Sequence, residues 1–169
     1  MTGLAVDPGE VLAGRCLELM RSAGSTLATA ESLTAGLVTA TLASVPGASD
    51  VLRGGLVAYA TDVKTSVLGV DPDLVATYGV VSGECASAMA RRALDLFDAT
   101  WAVSATGVAG PNGQDGKPAG TVYVGVAGPG AEAVRQLALT GTRSEVRRMT
   151  VLEALTLLVD EHGAVLPAG

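Results

Sequence analysis

Three short apolar segments, at residues 26–30, 53–60 and 101–106, alternate along the chain with segments whose apolar residues recur at helical spacing. Apolar runs of this length are typical of buried strands, and the longer periodic segments are typical of amphipathic helices. A helix that joins two strands usually brings them side by side in the same direction. The alternation therefore predicts parallel strands separated by helices.

The pattern changes after residue 120. Residues 121–127 and 133–139 are predicted strands separated by the turn Gly128-Pro129-Gly130, which indicates an antiparallel hairpin. Parallel strands followed by a hairpin give a mixed sheet, and the connecting helices can cover both of its faces. The sequence therefore predicts an α/β fold, a three-layer α/β/α sandwich with a mixed sheet.

Capping residues mark where the helices begin. Asp7 and Pro8 predict a helix to about Ser22, because aspartate caps a helix N-terminus and proline fits its first turn. Thr142 and Glu145 have the spacing of a capping box before a last helix. The other predicted helices cover residues 33–44, 61–68, 72–78 and 83–98, and the last runs to about residue 161.

Length and charge limit the possible functions. The 169 residues fit one domain, taken as 1–169, and the net charge of −6 comes without the basic surface that nucleic-acid binding needs. The N-terminus does not resemble a signal peptide, and no apolar run reaches the ~18 residues of a membrane-spanning helix. We therefore expect a cytoplasmic protein that binds neither nucleic acid nor membrane.

Few residues suit metal or histidine chemistry. The two cysteines, Cys16 and Cys85, fall in predicted helices without metal-ligand spacing, which indicates reduced, buried thiols. The single histidine, His162, is expected to complement the dipole of the last helix or to face solvent. Because no metal-binding pattern is present, we expect no metal. A serine nucleophile would need a base other than histidine.

Three polar residues follow two of the predicted strands. Ser32 comes just after the first strand, Tyr59 lies at the end of the second, and Lys64 lies about one turn into the next helix. If these strands are parallel neighbours, the three side chains meet at the carboxyl edge of the sheet, where α/β folds bind ligands. A lysine whose pKa is lowered by burial can accept the proton of a serine hydroxyl. The pattern thus predicts a serine nucleophile with a Lys/Tyr base.

Each of these residues also has a structural interpretation. Ser32 can cap the helix that follows, and Glu31 can favour the same helix N-terminus. Lys64 can be a solvated charge, and Tyr59 can fill the edge of the core. Spacing alone does not decide between these interpretations and a catalytic site.

The longest glycine-rich segment, at residues 107–120, joins two predicted strands. Its glycines allow close approach of the backbone to a ligand, and its N–H groups can hold a phosphate, although it can also be a flexible loop. Arg143, Arg147 and Arg148, near the start of the last helix, are candidates for pairing with that phosphate, and at least one of them can instead belong to a solvated helix face.

Four sequence blocks follow one another in the order TAESLTAGLV, GGLVAYATDVKTSVLGV, VSGECASAMA and SATGVAGPNGQDGKPAGTVYVGV. Together they resemble the CinA C-terminal domain family of nicotinamide mononucleotide deamidases, over roughly residues 10–160. The resemblance implies hydrolysis of the mononucleotide's carboxamide to nicotinic acid mononucleotide and ammonia. It also implies a three-layer α/β/α domain, often dimeric, without a metal or organic cofactor, so the expected partners are the nucleotide substrate and a second copy of the chain.

The resemblance also places the functional residues. It implies Ser32, Tyr59 and Lys64 as the catalytic residues, and we expect backbone N–H groups near Leu33 and Thr34 to stabilise the oxyanion. The predicted substrate-binding residues are Glu31, Leu33, Thr34, Thr106, Gly107, Ala109, Gly110, Arg143 and Arg147.

Four positions depart from the family's pattern. Leu33 stands where a cysteine is frequent, Ala35 replaces one of two glycines, and Ala60-Thr61 replaces a frequent Ser-Asn. These changes spare the predicted nucleophile and base, yet they keep open an alternative, a non-catalytic nucleotide-binding module of the same fold. Some members carry an additional N-terminal molybdopterin-binding-like domain, and we expect none within these 169 residues.

Overall fold

The computed structural model describes residues 7–165. Within this range the chain forms six α-helices, one short 3₁₀ helix and five strands. The helices are α1 (Pro8–Ser22), α2 (Leu37–Ala43), α3 (Thr61–Ser66), α4 (Pro72–Tyr78), α5 (Gly83–Phe97) and α6 (Arg143–Val165), and the 3₁₀ helix is Ala48–Asp50. The strands are β1 (Leu27–Glu31), β2 (Leu52–Val57), β3 (Trp101–Gly107), β4 (Thr121–Gly128) and β5 (Ala131–Ala138).

The five strands form one mixed sheet in the order β2-β1-β3-β4-β5. Strand β1 pairs in parallel with both β2 and β3, as the alternating pattern predicted. Strand β4 runs antiparallel to β3 and to β5, which confirms the predicted hairpin. Because β1 lies between two parallel neighbours, the carboxyl ends of β2, β1 and β3 meet at one edge of the sheet.

Helices cover both faces of the sheet and complete the predicted three-layer α/β/α sandwich. Helices α1, α2 and α6 pack together on one face, and α5 lies across the other face with α4 beside it. The core contains few aromatic side chains, so small residues set its close packing. A Cβ atom at Gly125 would lie 2.8 Å from the Ala86 carbonyl oxygen, and this glycine therefore lets α5 approach β4 closely.

The burial of each strand follows its place in the sheet. All residues of β1 are buried, and in β3 only the last residue is partly exposed. The edge strands β2 and β5 instead alternate between half-buried and exposed residues. Continuous apolar runs thus mark the central strands. The residues that follow β1 and β3 begin from the most buried part of the fold.

Capping residues explain most of the helix starts. The residues predicted to cap α1, α4 and α5 each accept a hydrogen bond from an N–H group of the first turn. Thr142 and Glu145 form the predicted capping box of α6, in which Glu145 Oε2 accepts the Thr142 N–H at 2.7 Å. In return, the Glu145 N–H donates to Thr142 Oγ1 at 3.3 Å. Local sequence therefore determines where these four helices begin.

The helix after β1 begins later than predicted, at Leu37 rather than Leu33. The intervening residues form a turn in which Ala35 and Gly36 have φ angles of +50° and +91°. A right-handed helix does not accommodate such angles, so α2 can begin only after them. Ser32 is therefore not a helix cap. It is the first residue of a separate turn between β1 and α2.

The expectation that His162 faces solvent is wrong, although the residue does lie in the last turn of α6. Its ring is buried, with its centroid 5.0 Å from that of Trp101. Nε2 lies 3.5 Å from Ser25 Oγ, and Nδ1 has no hydrogen-bond partner among the described residues. Burial lowers the pKa of His162 below its ordinary value. Ser25 precedes β1 whereas Ser32 follows it, so the histidine lies at the opposite end of that strand from Ser32.

Candidate functional site

A pocket of about 140 Å³ lies at the carboxyl edge of β1, β2 and β3. Ser32 follows β1, Tyr59 and Lys64 follow β2, and Thr106 and Gly107 end β3, and all five line the pocket. A larger cleft of about 660 Å³ lies between α1, α2 and α6, but none of the predicted site residues lines it. The smaller pocket is therefore the candidate site.

Ser32 and Lys64 are in direct contact inside this pocket. Lys64 Nζ lies 3.0 Å from Ser32 Oγ, and Lys64 is only 2% exposed, so its amine is almost fully removed from water. Nζ also donates to the backbone carbonyls of Ala58 at 2.8 Å and Tyr59 at 3.4 Å. No carboxylate among the described residues forms an ion pair with this amine. Its hydrogen-bond partners are all uncharged oxygen atoms.

The environment of Lys64 favours a neutral amine. Burial lowers the pKa of Lys64, because leaving water destabilises the ammonium form. An ionised Cys85 would oppose this shift, but burial raises the pKa of that thiol to about 11, so at neutral pH it carries no charge. A neutral amine that donates its two hydrogens to carbonyl oxygens keeps its lone pair for the Ser32 hydroxyl. That is the geometry of a general base.

Backbone hydrogen bonds hold the turn that carries Ser32. The N–H of Ser32 donates to the Ala105 carbonyl of β3 at 2.9 Å, and its carbonyl accepts the N–H of Ala35 at 3.0 Å. The N–H groups of Leu33 and Thr34 have no acceptor among residues 7–165. Leu33 lines the pocket, whereas Thr34 does not line it and has no exposed surface, in contrast to the prediction for Thr34. The N–H of Leu33 is therefore the unpaired donor that can meet an oxyanion beside Ser32. The Leu33 side chain is buried, so its contribution would come from its backbone.

Glu31 does not line the pocket, in contrast to the prediction that it contacts substrate. Its carboxylate is 1% exposed and accepts the N–H groups of Val38 at 3.0 Å and Thr39 at 2.8 Å, together with the Thr39 hydroxyl at 2.6 Å. These donors belong to the first turn of α2, whose N-cap residue Gly36 has no side chain to bind them. Glu31 therefore caps α2 from the end of β1, the alternative that its sequence position left open.

Arg147 does not line the pocket either. Its Nε donates to the Leu33 carbonyl at 2.9 Å, and its Nη2 donates to the Thr34 carbonyl at 2.8 Å. The phosphate contact predicted for Arg147 is therefore replaced by two hydrogen bonds to the turn after Ser32. Thr34 has no exposed surface, and its Oγ1 lacks a hydrogen-bond partner among the described residues.

Arg143, one turn earlier on α6, does line the pocket. Its Nη1 donates to the Gly110 carbonyl at 2.9 Å, and its Nη2 donates to the phenol oxygen of Tyr59 at 2.5 Å. The Tyr59 ring is 53% exposed, and its phenol bonds to Arg143 rather than to Lys64. Tyr59 meets the Lys64 amine through its backbone carbonyl, which does not fit the predicted proton relay through the phenol.

The glycine-rich loop forms one wall of the pocket. Gly107, Ala109 and Gly110 line it, and a Cβ atom at Gly107 would lie 2.6 Å from the Thr121 carbonyl oxygen. Glycine is therefore needed where the loop leaves β3. The hydroxyl of Thr106 donates to the backbone carbonyl of Val80, in the segment before α5, at 2.6 Å. This hydrogen bond stabilises the fold.

The family assignment comes from comparison with known proteins. The family model of the CinA C-terminal domain matches residues 9–162. The chain belongs to the CinA C-terminal domain family. It is 46% identical over 147 residues to a CinA-like protein of Frankia casuarinae, covering 87% of this chain and 34% of that protein. It is 48% identical over 142 residues to a CinA-like protein of Mycobacterium avium, covering 80% of this chain and 33% of that protein. This chain thus spans about a third of the length of these relatives.

Solved structures of CinA proteins share this architecture. The competence/damage inducible protein CihA from Agrobacterium tumefaciens matches with a TM-score of 0.88 at 34% identity, covering 94% of this chain and 98% of that one. The competence damage-inducible protein A from Klebsiella pneumoniae matches with a TM-score of 0.91 at 27% identity, covering 95% and 100%. The mixed α/β fold is therefore that of the CinA proteins.

The residues that depart from the family's pattern lie close to the pocket of this CinA domain. Leu33 and Thr61 line the pocket, and Ala35 holds a φ of +50° in the Ser32 turn. Ala60 is the N-cap of α3 and supplies no side-chain hydrogen bond. These positions shape the surroundings of the Ser32–Lys64 contact without interrupting it.

Sequence reasoning missed part of the pocket lining of this CinA domain. Val80 and Val81, which precede α5, could have been recognised as two consecutive valines. The carboxamide side chains of Asn112 and Gln114 could have been recognised among the glycines of the loop. The Ala58 carbonyl that binds Lys64 is a backbone group, which no side-chain pattern reveals. The missed lining residues are Thr61, Val80, Val81, Val108, Asn112, Gly113 and Gln114.

The two cysteines of the CinA domain agree with the prediction from the sequence. Cys16 and Cys85 are free and buried, as predicted, and burial raises the pKa of Cys16 to about 12. Between residues 7 and 165, no group of three or more His, Cys, Asp or Glu side chains is arranged to hold a metal ion. In the same range, no helix has both the length and the apolar character needed to cross a membrane.

Proposed function

We propose that this CinA domain hydrolyses the carboxamide of nicotinamide mononucleotide to nicotinic acid mononucleotide and ammonia. One observation carries the proposal, the 3.0 Å contact between the buried Lys64 amine and Ser32 Oγ, with two backbone carbonyls placed to accept the two hydrogens of the neutral amine. This contact pairs a hydroxyl with a base that has no compensating carboxylate. The identity of the substrate comes from the family resemblance.

The first step transfers a proton. Neutral Lys64 accepts the hydroxyl proton while Ser32 Oγ bonds to the carboxamide carbon, and the amide oxygen becomes an oxyanion. The unpaired N–H group of Leu33 stabilises that charge. The C–N bond then breaks as the Lys64 ammonium returns its proton to the leaving nitrogen, and ammonia departs. Lys64 next takes a proton from water while the hydroxide formed attacks the Ser32 ester, and it returns that proton to Ser32 Oγ as nicotinic acid mononucleotide leaves.

The lining of the pocket suits a pyridine ribotide. Val80, Val81 and Val108 offer an apolar wall for the ring, and Arg143 offers a positive charge for the phosphate. Aspartate and glutamate are absent from the lining, so no carboxylate there repels an anion. At about 140 Å³ the pocket is smaller than the ~300 Å³ or more of typical ligand cavities. It would therefore hold the nicotinamide ring, with the ribose phosphate lying across the rim.

Release of ammonia from the mononucleotide by the purified protein tests this proposal. We expect Ser32→Ala and Lys64→Met each to lower kcat by about a thousandfold or more, because one removes the nucleophile and the other the base. Lys117→Met is the matched control, since Lys117 is the other lysine of the chain and does not line the pocket. Full activity of either pocket variant would reject the role assigned to that residue.

Thermal unfolding of the same protein distinguishes the amidase from the alternative, a non-catalytic nucleotide-binding module. A ligand that binds only the folded state raises the melting temperature, whether or not it is cleaved. Stabilisation by the mononucleotide without ammonia release would therefore contradict the amidase proposal and favour a nucleotide-binding module. Ammonia release that depends on Ser32 and Lys64 would contradict the binding module.

A further inference from the structure

We propose that Arg147 is a positioning residue that holds the turn after Ser32, so that the backbone N–H of Leu33 can bind the oxyanion. The inference rests on the proposed serine chemistry and adds a residue that lies outside the pocket. Arg147 belongs to α6, one turn after the pocket residue Arg143. It acts on the reacting atoms only through the turn that it binds.

The guanidinium of Arg147 binds two consecutive peptide groups. Nε and Nη2 donate to the carbonyls of Leu33 at 2.9 Å and Thr34 at 2.8 Å. A planar guanidinium fixes the directions of two acceptors together, which the single ammonium of a lysine cannot do. The two hydrogen bonds therefore determine how both peptide planes lie relative to α6.

Fixing these carbonyls also fixes the neighbouring N–H groups. In a planar trans peptide the C=O and N–H bonds point in opposite directions. The N–H of Thr34 shares a peptide with the Leu33 carbonyl and so points away from Arg147. The N–H of Leu33 likewise points away from the Ser32 carbonyl, which the Ala35 N–H holds at 3.0 Å. Both of these N–H groups lack an acceptor among residues 7–165, but only Leu33 lines the pocket, so its N–H is the donor that an oxyanion can reach.

The charge of Arg147 adds to this geometric effect. No carboxylate of the described residues forms an ion pair with its guanidinium, so its charge is not neutralised by such a partner. A cation bound to the Thr34 carbonyl makes the N–H of Ala35 a stronger donor, and its hydrogen bond to the Ser32 carbonyl in turn makes the N–H of Leu33 a stronger donor. Donors that are fixed before charge develops stabilise the transition state more than the ground state. Arg147 is thus expected to act on kcat rather than on substrate binding.

Two measurements on the full chain test this role. The first compares kcat and KM of the wild type, Arg147→Lys and Arg147→Met on nicotinamide mononucleotide and on nicotinamide riboside, which lacks the phosphate. The second measures the rate of labelling of Ser32 by a fluorophosphonate, in which the serine oxygen displaces fluoride and charge develops on the phosphoryl oxygen. Arg148→Met is the control, because Arg148 is an exposed neighbour on α6 that does not line the pocket.

We expect both Arg147 variants to lose about ten- to a hundredfold in kcat on both substrates, with KM close to the wild-type value. This is less than the roughly 10²–10³ lost when an oxyanion donor is removed outright, because the N–H of Leu33 remains. Labelling of Ser32 should slow by a similar factor. Melting temperatures show whether each variant is folded, and Arg147→Lys decides if Arg147→Met does not fold.

Other outcomes separate this inference from the proposed function. Unchanged kcat and labelling in a folded Arg147 variant would overturn the positioning role, and so would an increase in KM confined to the phosphorylated substrate. Absence of mononucleotide hydrolysis, with labelling of Ser32 that still depends on Arg147, would reject the substrate but support the positioning role. A wild type that neither turns over nor reacts with the fluorophosphonate would overturn both proposals.

Discussion

Lys64 and Glu31 are buried ionisable side chains on either side of the Ser32 turn, and their partners are of opposite kinds. Lys64 meets only uncharged oxygen atoms, one of which is the Ser32 hydroxyl. Glu31 meets two backbone N–H groups and a hydroxyl, all of which donate to it. The carboxylate is thus fully used in capping α2, whereas the amine is directed at a group that can react.

Replacement of Glu31 by glutamine tests the capping role. Glu31→Gln places an NH₂ group against at least one of the donors from α2, so we expect a loss of about 1–3 kcal/mol in the free energy of unfolding. We also expect lower kcat, because α2 and the Ser32 turn share this anchor. Urea unfolding measures the first effect. The exposed Glu18→Gln is the control, and equal stability of the two variants would contradict the cap.

At the scale of elements, the ends of β1, β2 and β3 assemble the site. Parallel pairing could be predicted from the alternation of strands and helices, and it was enough to bring Ser32 and Lys64 to one edge. The start of α2 could not be predicted, because its cap comes from Glu31, outside the helix, and its N-cap Gly36 has positive φ. Local capping rules consider only the residues at the end of a helix. They fail where tertiary contacts supply the cap.

Two arginines near the start of α6, for which the sequence predicted the same role, contact different parts of the site. Arg143 lies beside the loop after β3, whereas Arg147 lies behind the turn after β1. Their spacing of four residues on a helix puts them on one face, but it does not say which surface each one meets. That distinction depends on how α6 packs against the sheet.

The position of Arg143 in the pocket predicts how its replacement affects the KM for the mononucleotide. Since it lines the pocket and has no ion-pair partner among the described residues, Arg143→Met should raise KM for the mononucleotide about ten- to a hundredfold, the value of a charged hydrogen bond. KM for nicotinamide riboside should change little. Steady-state kinetics on both substrates measures the difference. An equal rise in KM for the riboside would show that Arg143 does not act through phosphate.

At the scale of the whole molecule, the two ends of the central strands differ in chemistry. The carboxyl ends carry the polar pocket, whereas His162 packs on Trp101 near the amino ends. The sequence could not reveal this burial, because α6 extends to Val165 and its last turns still cover the sheet. From sequence alone, a polar residue near a helix end is expected to face solvent. Only the packing of the helix against the sheet shows that this residue is buried.

Burial of His162 predicts how stability depends on pH. Because its pKa is lowered in the folded state, the unfolded chain binds a proton first, at about pH 6.5. This contribution to stability is full above that pH and is lost as the pH falls toward the lowered folded value. Melting temperatures between about pH 7.5 and 5 should therefore fall more steeply for the wild type than for His162→Gln. Parallel curves would contradict a buried neutral imidazole.

The central claim is that Ser32 attacks the substrate after Lys64 removes its proton, and acid quenching during turnover tests it most directly. Mass spectrometry of the quenched protein should find a nicotinic acid mononucleotide ester on the peptide that contains Ser32. The ester should be absent from Lys64→Met and present in Lys117→Met. Ammonia release at the normal rate by Lys64→Met, or an ester on a residue other than Ser32, would contradict the account.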